Sequence, residues 1–465
     1  MFNAMRITKK ISCEVKIGVT CFFILFFSYM YFNQPYKNWN VVSRMSLTLS
    51  LVEDGTITIN KFHKYAGLDK AMYKGNYYSD KAPGLSFTAM PCVAVGRVLL
   101  RIYGNHQDWM SKGVNRKFGF IVYFSTIFTS GLFTAIAALL LYFVSLRIGA
   151  SISGAVFAML SFGLASPAWG WATAFFGHAM ASSCLFIAFV AIIYLDQSSL
   201  NKRRDALLGF LTGALLLWAV VVEYTAAIAS VIIIFFGIAN AIQWDKKKAA
   251  RVVISAIIGG IIFIIPLLYY NFMAFDSPFA IGYNYYEKGA FSEMKEGLFG
   301  ITYPRPGVLF MILFSPYRGI LWFSPILVIT PIGIYYLLLN SAFVNWHAGW
   351  STGSRYAISM VPFVCLPLSI IWTKVGPKGK SGLLGLFTLS LGVSIICVSV
   401  SMMSPNKYPN PLFDFLIPRF LDGKLNSILN KLGITGPVTL IPILAFWAIS
   451  GIFILKFWVN RGCRR

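Results

Sequence analysis

The chain has 465 residues, of which 57% are hydrophobic and only 12% charged, with a mean hydropathy of +0.69. That balance excludes an ordinary soluble globular protein, and several apolar runs approach or exceed the roughly 20 residues that span a bilayer. The net charge of +24 does not signal nucleic acid, because the basic residues fall mostly in short loops between apolar runs and no basic soluble segment exists to carry such binding.

In chain order, the first span is expected at 17–33. It follows a basic segment with Lys9, Lys10 and Lys16, and reads as a retained helix with a cytoplasmic N-terminus rather than a cleaved signal. A first outer loop covers 34–82. Within it, 41–53 is patterned as an amphipathic helix lying on the membrane surface, and Pro83-Gly84 breaks the chain where it re-enters the bilayer. Further apolar segments fall at 84–103, 118–145, 151–170 and 178–196. Lys202–Arg204 and Lys246–Lys248 mark two cytoplasmic loops. The nearly uncharged stretch 206–242 between them must be a helical hairpin, which puts Glu223-Tyr224 at its outer tip, where a glutamate costs far less than at the bilayer centre. A span at 252–271 leads to an outer loop at 272–307 carrying Asp276, Glu287, Glu293 and Glu296. Apolar sequence follows at 308–342, 356–372, 381–403 and 436–458. Lys374, Lys378 and Lys380 mark an inner loop, the tail 461–465 is also inner, and 404–435 lies outside. The expectation is an all-α polytopic membrane bundle of about 11–12 helices, one domain over 1–465, with a large first outer loop carrying surface helices.

Two places conflict with this topology. If 84–103 spans fully, Lys202–Arg204 falls outside, against the positive-inside rule, so this segment is expected either not to cross completely or to pair with a non-crossing neighbour. The run 308–342 is short for the two crossings required there; either both helices are short, with Phe323-Ser324-Pro325 near the turn, or a helix has been lost.

The seven cysteines, Cys13, Cys21, Cys92, Cys184, Cys365, Cys397 and Cys463, form no CxxC or Cys/His cluster and read as small core residues. The four histidines lack metal-ligand spacing. No internal repeat is visible, and the charges gather at the outer interface rather than the membrane midplane. Both features argue against the main rival from another class, a secondary transporter.

Six strings carry a resemblance: Ser43-Arg44, Ser50–Thr56, Tyr77–Gly84 with its Ser-Asp-Lys-Ala-Pro-Gly core, Phe176-Gly177-His178, Phe314–Gly319 and Gly349–Tyr356. Spread over most of the chain, they resemble membrane glycosyltransferases of the GT-C class. The pattern is similar to the bacterial polyprenyl-phosphate-dependent transferases, related to the protein O-mannosyltransferases and the lipid A aminoarabinose transferase. The resemblance implies a polyprenyl-phosphate sugar donor, an acceptor that is a glycan, lipid or protein, and a site on the outer side of the inner membrane. Family members often place an acidic residue directly after the first helix, near an arginine; 33–43 holds no carboxylate here. A degenerate relative that binds lipid-linked sugar without transferring it is a further alternative, raised by the compressed 308–356 region.

Inverting transfer needs a base for the acceptor hydroxyl, and a cation for the leaving phosphate. A loop carboxylate suits the first role; Lys, Arg or a divalent metal ion suits the second, and no cofactor is demanded. Asp80 is the first candidate base and Glu53 the second. Lys81, Arg44, Asp54, His178, Glu223, Arg318 and Arg355 are candidates for binding substrate. Each has a structural alternative: a helix-capping interfacial pair for Asp80-Lys81, a helix end for Glu53 and Asp54, headgroup contact for Arg44, and loop or cavity packing for the others. Asp69 reads as a loop residue and His347 as structural.

Overall fold

The computed structural model describes residues 13–102, 113–195, 201–286, 291, 296–297, 300–329 and 334–459. Lys9, Lys10, Glu287, Glu293, Cys463 and the 461–465 tail lie outside the described residues. The protein is an all-α, multi-pass membrane bundle. Nine described helices are long and apolar enough to cross a bilayer, and shorter apolar helices lie at Ile152–Gly163 and Ala226–Ala241. The helices Lys246–Phe275 and Ile441–Val459 turn rows of isoleucine outward, such as Ile254, Ile257, Ile258, Ile261 and Ile265 on the first. Such a surface suits hydrocarbon. Inside, Gly213 lets Lys202–Val222 touch Lys246–Phe275 directly: a Cβ there would sit 1.8 Å from the Ala256 carbonyl oxygen. Close backbone approach at small residues is how helices pack where lipid removes the hydrophobic drive.

The bundle has two chemically distinct ends. At one, Tyr142 Oη donates to the Glu14 carbonyl, Ser151 meets Thr373, and Arg204 and Lys248 donate to the Tyr194 and Leu195 carbonyls. This basic end collects Arg147, Lys202–Arg204, Lys246–Lys248 and Lys374. The other end holds the 34–82 loop, the Glu223-Tyr224 tip and the segments 276–286, 300–306, 343–356 and 401–436. The last helix packs against the first, with Trp447 Nε1 donating to Ser28 Oγ and Tyr31 Oη to the Thr439 carbonyl. The described chain therefore begins and finishes at the basic end.

The Gly84–Ile102 helix is long enough to cross, yet both its ends stay at the end away from the basic loops. Its start abuts the backbone of Val221. It then runs beside the first-loop helix Trp39–Leu49: Ser86 Oγ donates to the Arg44 carbonyl at 2.8 Å, and Arg97 Nε meets Glu53 Oε1 at 2.8 Å. The next helix, Arg116–Arg147, starts with Gly119 against Tyr36, again next to the first loop. The positive-inside conflict disappears, because this segment adds no crossing. Cysteines replacing Asn60 and Arg101 should therefore react with an impermeant thiol reagent from one side of the membrane, and a cysteine replacing Arg203 from the other. Reaction of Arg101→Cys together with Arg203→Cys would show that the helix crosses.

The first-loop helix corrects a second expectation. Trp39–Leu49 continues into a π-helical turn, Ser50–Asp54. From Asn40 to Leu49 every residue is buried, so this is not an amphipathic helix floating on the surface. Ser43, Arg44 and Thr48 bond within the protein, as buried polar groups mostly do, while Ser46 Oγ is buried without a partner.

The compressed region holds two short helices, Pro306–Phe314 and Ile334–Ala342; after the first, Tyr317 and Arg318 still bond to Asn406, His347 and Gly349 at the end away from the basic loops, and only the stretch beyond them dips inward. Nine residues rise only about 13 Å, too short to span. Residues 300–305 pair with 341–344 through Thr302 N to Ala342 O and Val344 N to Gly300 O. At the far end Ile326 N donates to Ser390 Oγ at 2.9 Å, and Ser390 lies ten residues before the end of Pro377–Val400, about 15 Å deep. The excursion reaches mid-membrane and returns, with Ser324 buried near its turn.

Cys21, Cys92, Cys184, Cys365 and Cys397 are free, but Cys13 is disulfide-bonded. Cys13, partly buried against the core at the start of the first helix, departs from the reading of the cysteines as unpaired core residues.

Candidate functional site

A small hairpin organises the site. Strands Ala71–Tyr73 and Asn76–Tyr78 pair antiparallel, with Ala71 opposite Tyr78. They are joined by Lys74-Gly75, both at positive φ (47° and 77°), the backbone a two-residue type I′ hairpin turn demands. Continued two residues past its last pair, this register sets Asp69 opposite Asp80. Two carboxylates placed so repel, and Lys81 answers the repulsion. Its Nζ lies 2.6 Å from Asp80 Oδ2 and 3.2 Å from Asp69 Oδ1. Burial works against the ammonium, but Asp69 and Asp80 outweigh it and hold the Lys81 pKa above that of a free lysine.

The two carboxylates are not equivalent. Asp80 is fully buried and accepts from Lys81, from Tyr286 Oη at 2.9 Å and from Ser43 Oγ at 3.2 Å. Burial pushes Asp80 up from the ordinary carboxylate range, with Lys81 pulling the other way. The chain passes tightly behind it: a Cβ on Gly282 would lie 2.7 Å from Asp80 Cα, so only glycine fits. Asp69, by contrast, lines a cavity of about 450 Å³, together with Lys81. Its Oδ2 receives no hydrogen bond from any described residue.

The other walls come from distant parts of the chain. Glu223 ends the Lys202–Val222 helix and faces the cavity. Its Oε2 accepts from Arg44 Nη2 at 3.2 Å and lies 3.5 Å from His178 Nδ1. Arg44 is spent on binding the walls together: Nε donates to Asn40 Oδ1 and Nη1 to the Ala82 carbonyl, both at 3.0 Å. Tyr283 and Tyr286, from the loop after Lys246–Phe275, close over Lys81 and Asp80. Arg355 enters ahead of Val361–Lys374, with its guanidinium beside the rings of Phe176 (5.2 Å) and Tyr356 (5.4 Å). Its Nε is buried without a hydrogen-bond partner, and among the described residues no carboxylate pairs with it. Of the charged residues lining the cavity, Lys37, Arg44, Lys81 and Arg355 are basic, and Asp69 and Glu223 acidic.

Of the residues singled out from sequence, Lys81, Arg44, His178, Glu223 and Arg355 meet at this cavity, and Asp80 stands behind Lys81. Glu53, Asp54 and Arg318 do not line it. Glu53 is paired with Arg97, and Asp54 with Lys61 at 2.5 Å; both sit at the π-helical turn, where the helix axis carries them away. Arg318 donates to the carbonyls of His347, Tyr317 and Gly349 at 3.0–3.1 Å, and burial lowers its pKa to about 10. It fixes the loop that supplies Gly349 and Trp350 to the cavity. Arg318→Met should lower thermal stability by about 2 kcal/mol or more, the scale for orphaning buried polar partners. An unchanged melting temperature would remove this account.

Sequence reasoning passed over Asp69, Tyr283 and Tyr286. The signal for Asp69 was the repeated Asp-Lys pair, 69–70 and 80–81, whose two aspartates are symmetric about Lys74-Gly75. Among the described residues no three His, Cys, Asp or Glu side chains gather to hold a metal ion. Asp69 and Asp80, the closest carboxylates, converge on the Lys81 ammonium instead.

No protein-family model matches the chain, and no curated protein sequence matches it. Its fold is similar to the crystal structure of ArnT from Cupriavidus metallidurans bound to undecaprenyl phosphate: 12% identity, TM-score 0.50, covering 95% of this chain and 75% of that one. The apo structure of the same ArnT matches at 13% identity and TM-score 0.46, with the same coverage. The chain thus shares the fold of that ArnT structure, as the sequence resemblance led one to expect.

Proposed function

We propose that the chain is a membrane glycosyltransferase that moves a sugar from a polyprenyl-phosphate-linked donor to an acceptor hydroxyl. The observation that carries this reading is the cavity: it joins Lys37 and Arg355, which pair with no described carboxylate, to Asp69, whose Oδ2 receives no hydrogen bond from any described residue, on the fold of an ArnT structure that binds undecaprenyl phosphate. Taking the basic loops as cytoplasmic, both termini are cytoplasmic and the cavity opens on the outer face of the inner membrane.

The chemistry divides between two groups. The acceptor hydroxyl attacks the anomeric carbon, the bond from that carbon to the phosphate oxygen breaks, and its electron pair leaves with the polyprenyl phosphate. The proton of the hydroxyl passes to Asp69 Oδ2. Arg355, which pairs with no described carboxylate, meets the developing phosphate charge, and a guanidinium can do so through paired hydrogen bonds. Lys81 adds a second positive charge. Asp80 is its permanent partner, so Lys81 stays placed when Asp69 takes a proton. Arg44 holds Glu223, which orients the sugar hydroxyls.

Mass spectrometry of envelope glycans and glycolipids, with and without the gene, tests the reading. One sugar should be missing from one glycan, glycolipid or glycoprotein class. An unchanged envelope, together with no binding of undecaprenyl phosphate by the purified chain, would overturn it.

A further inference from the structure

Two arginines meet at the 345–356 wall of the cavity, and neither pairs with a carboxylate among the described residues. Arg355 lines the cavity. Arg318 lies behind the wall and is fully buried. Its guanidinium donates to the carbonyls of His347 and Gly349, on either side of Ala348, and Ala348 and Gly349 both line the cavity. Ala348 is held at φ 60°, a conformation that a residue other than glycine keeps only where its surroundings enforce it. The two bonds from Arg318 supply that enforcement. Fastening a loop does not by itself call for a charge. Arg44, the other buried arginine of the site, has Glu223 against it at 3.2 Å, whereas Arg318 has only backbone carbonyls and the Tyr317 ring at 4.0 Å. Burial lowers the Arg318 pKa to about 10, and the charge of Arg355 pushes the same way, so each guanidinium lies in the field of the other. At neutral pH Arg318 stays protonated, with no described carboxylate to offset it.

Sugar transfer moves a negative charge. The donor phosphodiester carries one charge, whereas the polyprenyl phosphate that leaves is a monoester and takes a second. In the same step Asp69 gains the proton of the acceptor and loses its charge. A negative charge thus passes from the hairpin wall to the phosphate. We propose that Arg318 is a positioning residue for this charge: its buried guanidinium, behind the 347–349 backbone, makes the cavity favour the doubly charged phosphate monoester over the singly charged diester. The inference rests on the glycosyltransferase reading and adds to it the state of the phosphate that the site selects. A fixed charge in a low-dielectric wall acts on charge developing in the cavity without touching it and without reorganising. Arg355 meets the phosphate oxygens, and Arg318 adds its field from behind while holding the strained wall in place. The sign of the pH effect follows. Positive charge favours the dianion, so the second pKa of the bound phosphate falls below that of the free lipid, and binding tightens as pH rises through that range.

The test uses the full chain in nanodiscs, as wild type, Arg318→Lys and Arg318→Gln. The probes are undecaprenyl phosphate, a monoester, and its methyl ester, a diester with one charge. Affinities are measured at pH 8, and the phosphorus-31 resonance of bound undecaprenyl phosphate is followed from pH 5 to 9. The other charged and titratable groups around the cavity are Lys37, the Arg44–Glu223 pair, Lys81 between Asp69 and Asp80, His178, Tyr283, Tyr286 and Tyr356, with His347 on the Arg318 side. All of them remain in every variant, so a difference between variants reports Arg318. Wild type should bind the monoester about tenfold more tightly than the methyl ester, and the bound phosphate should titrate about one unit below the same lipid in nanodiscs without protein. Arg318→Lys keeps the charge and should keep most of both effects. Arg318→Gln should lose them while binding the methyl ester nearly as wild type does. Both variants should melt below wild type, because both disturb the bonds to the loop, so stability alone does not separate the two roles. A wild-type preference retained in Arg318→Gln would overturn the proposal and leave Arg318 as a loop fastener. Equal loss in Arg318→Lys and Arg318→Gln would also overturn it, by assigning the effect to loop geometry rather than charge. Absence of the preference in wild type would overturn it even if neither variant folds. Binding of neither lipid by wild type would remove the glycosyltransferase reading, and this inference with it.

Discussion

Asp69→Asn should lower sugar transfer by about 10²-fold or more, the usual scale for losing a general base, while undecaprenyl phosphate still binds. The amide keeps the size of the carboxylate and can still meet Lys81 through its oxygen, so the wall should not collapse. Asp80 keeps Lys81 charged and placed in the variant. Asp80→Asn should behave differently. Asp80 accepts from three side chains in a fully buried position, and an amide cannot satisfy all three donors, so its first effect should be on stability and yield. Scored per folded molecule, Asp80→Asn should retain more transfer than Asp69→Asn. The opposite order would give the base role to Asp80 and make Asp69 the supporting partner. Should both variants transfer normally, Glu223→Gln becomes the informative substitution, since Glu223 is the other carboxylate facing the cavity.

The contrast between these neighbours shows what the sequence could convey. Composition and hydropathy specify the membrane class, and the charge pattern around 206–242 places Glu223 at a hairpin tip, where it is found. The strings around Lys81, His178 and Arg355 also meet at one cavity although they lie far apart in the chain. What could not be read was the direction of each side chain. Asp69 and Asp80 belong to similar Asp-Lys pairs, and only the register of a three-residue hairpin decides which faces the cavity and which is buried. Strands that short carry almost no periodic signal. The Gly84–Ile102 helix misleads for a related reason: burial against Trp39–Leu49 and the first loop demands the same apolar composition as a bilayer crossing. Arg318 and Arg355 look alike in sequence, each beside a tyrosine and near glycines. Tertiary structure surrounds one with backbone carbonyls and gives the other no counter-charge among the described residues.

That difference sets the last expectation. Arg355→Ala should weaken binding of undecaprenyl phosphate by roughly 10- to 100-fold, since hydrogen bonds to charged groups contribute about 1.5–3 kcal/mol. Arg355→Lys should recover only part of the loss, because a lysine supplies the charge but not the planar fork of donors. The fold should tolerate both substitutions. Arg355 Nε has no hydrogen-bond partner to leave unsatisfied, and no described carboxylate would be stranded. Its contacts with Phe176 and Tyr356 contribute about 0.5–2 kcal/mol at most. A melting temperature close to wild type with a raised Kd would therefore separate ligand binding from structure. Raising the salt should weaken the wild type more than Arg355→Ala, because part of the wild-type attraction is a screened charge interaction. If both variants bind undecaprenyl phosphate as wild type does, Arg355 is a packing residue of the Phe176–Tyr356 wall. The phosphate would then have to be held at Lys81 or Lys37, the remaining cavity cations outside the Arg44–Glu223 pair.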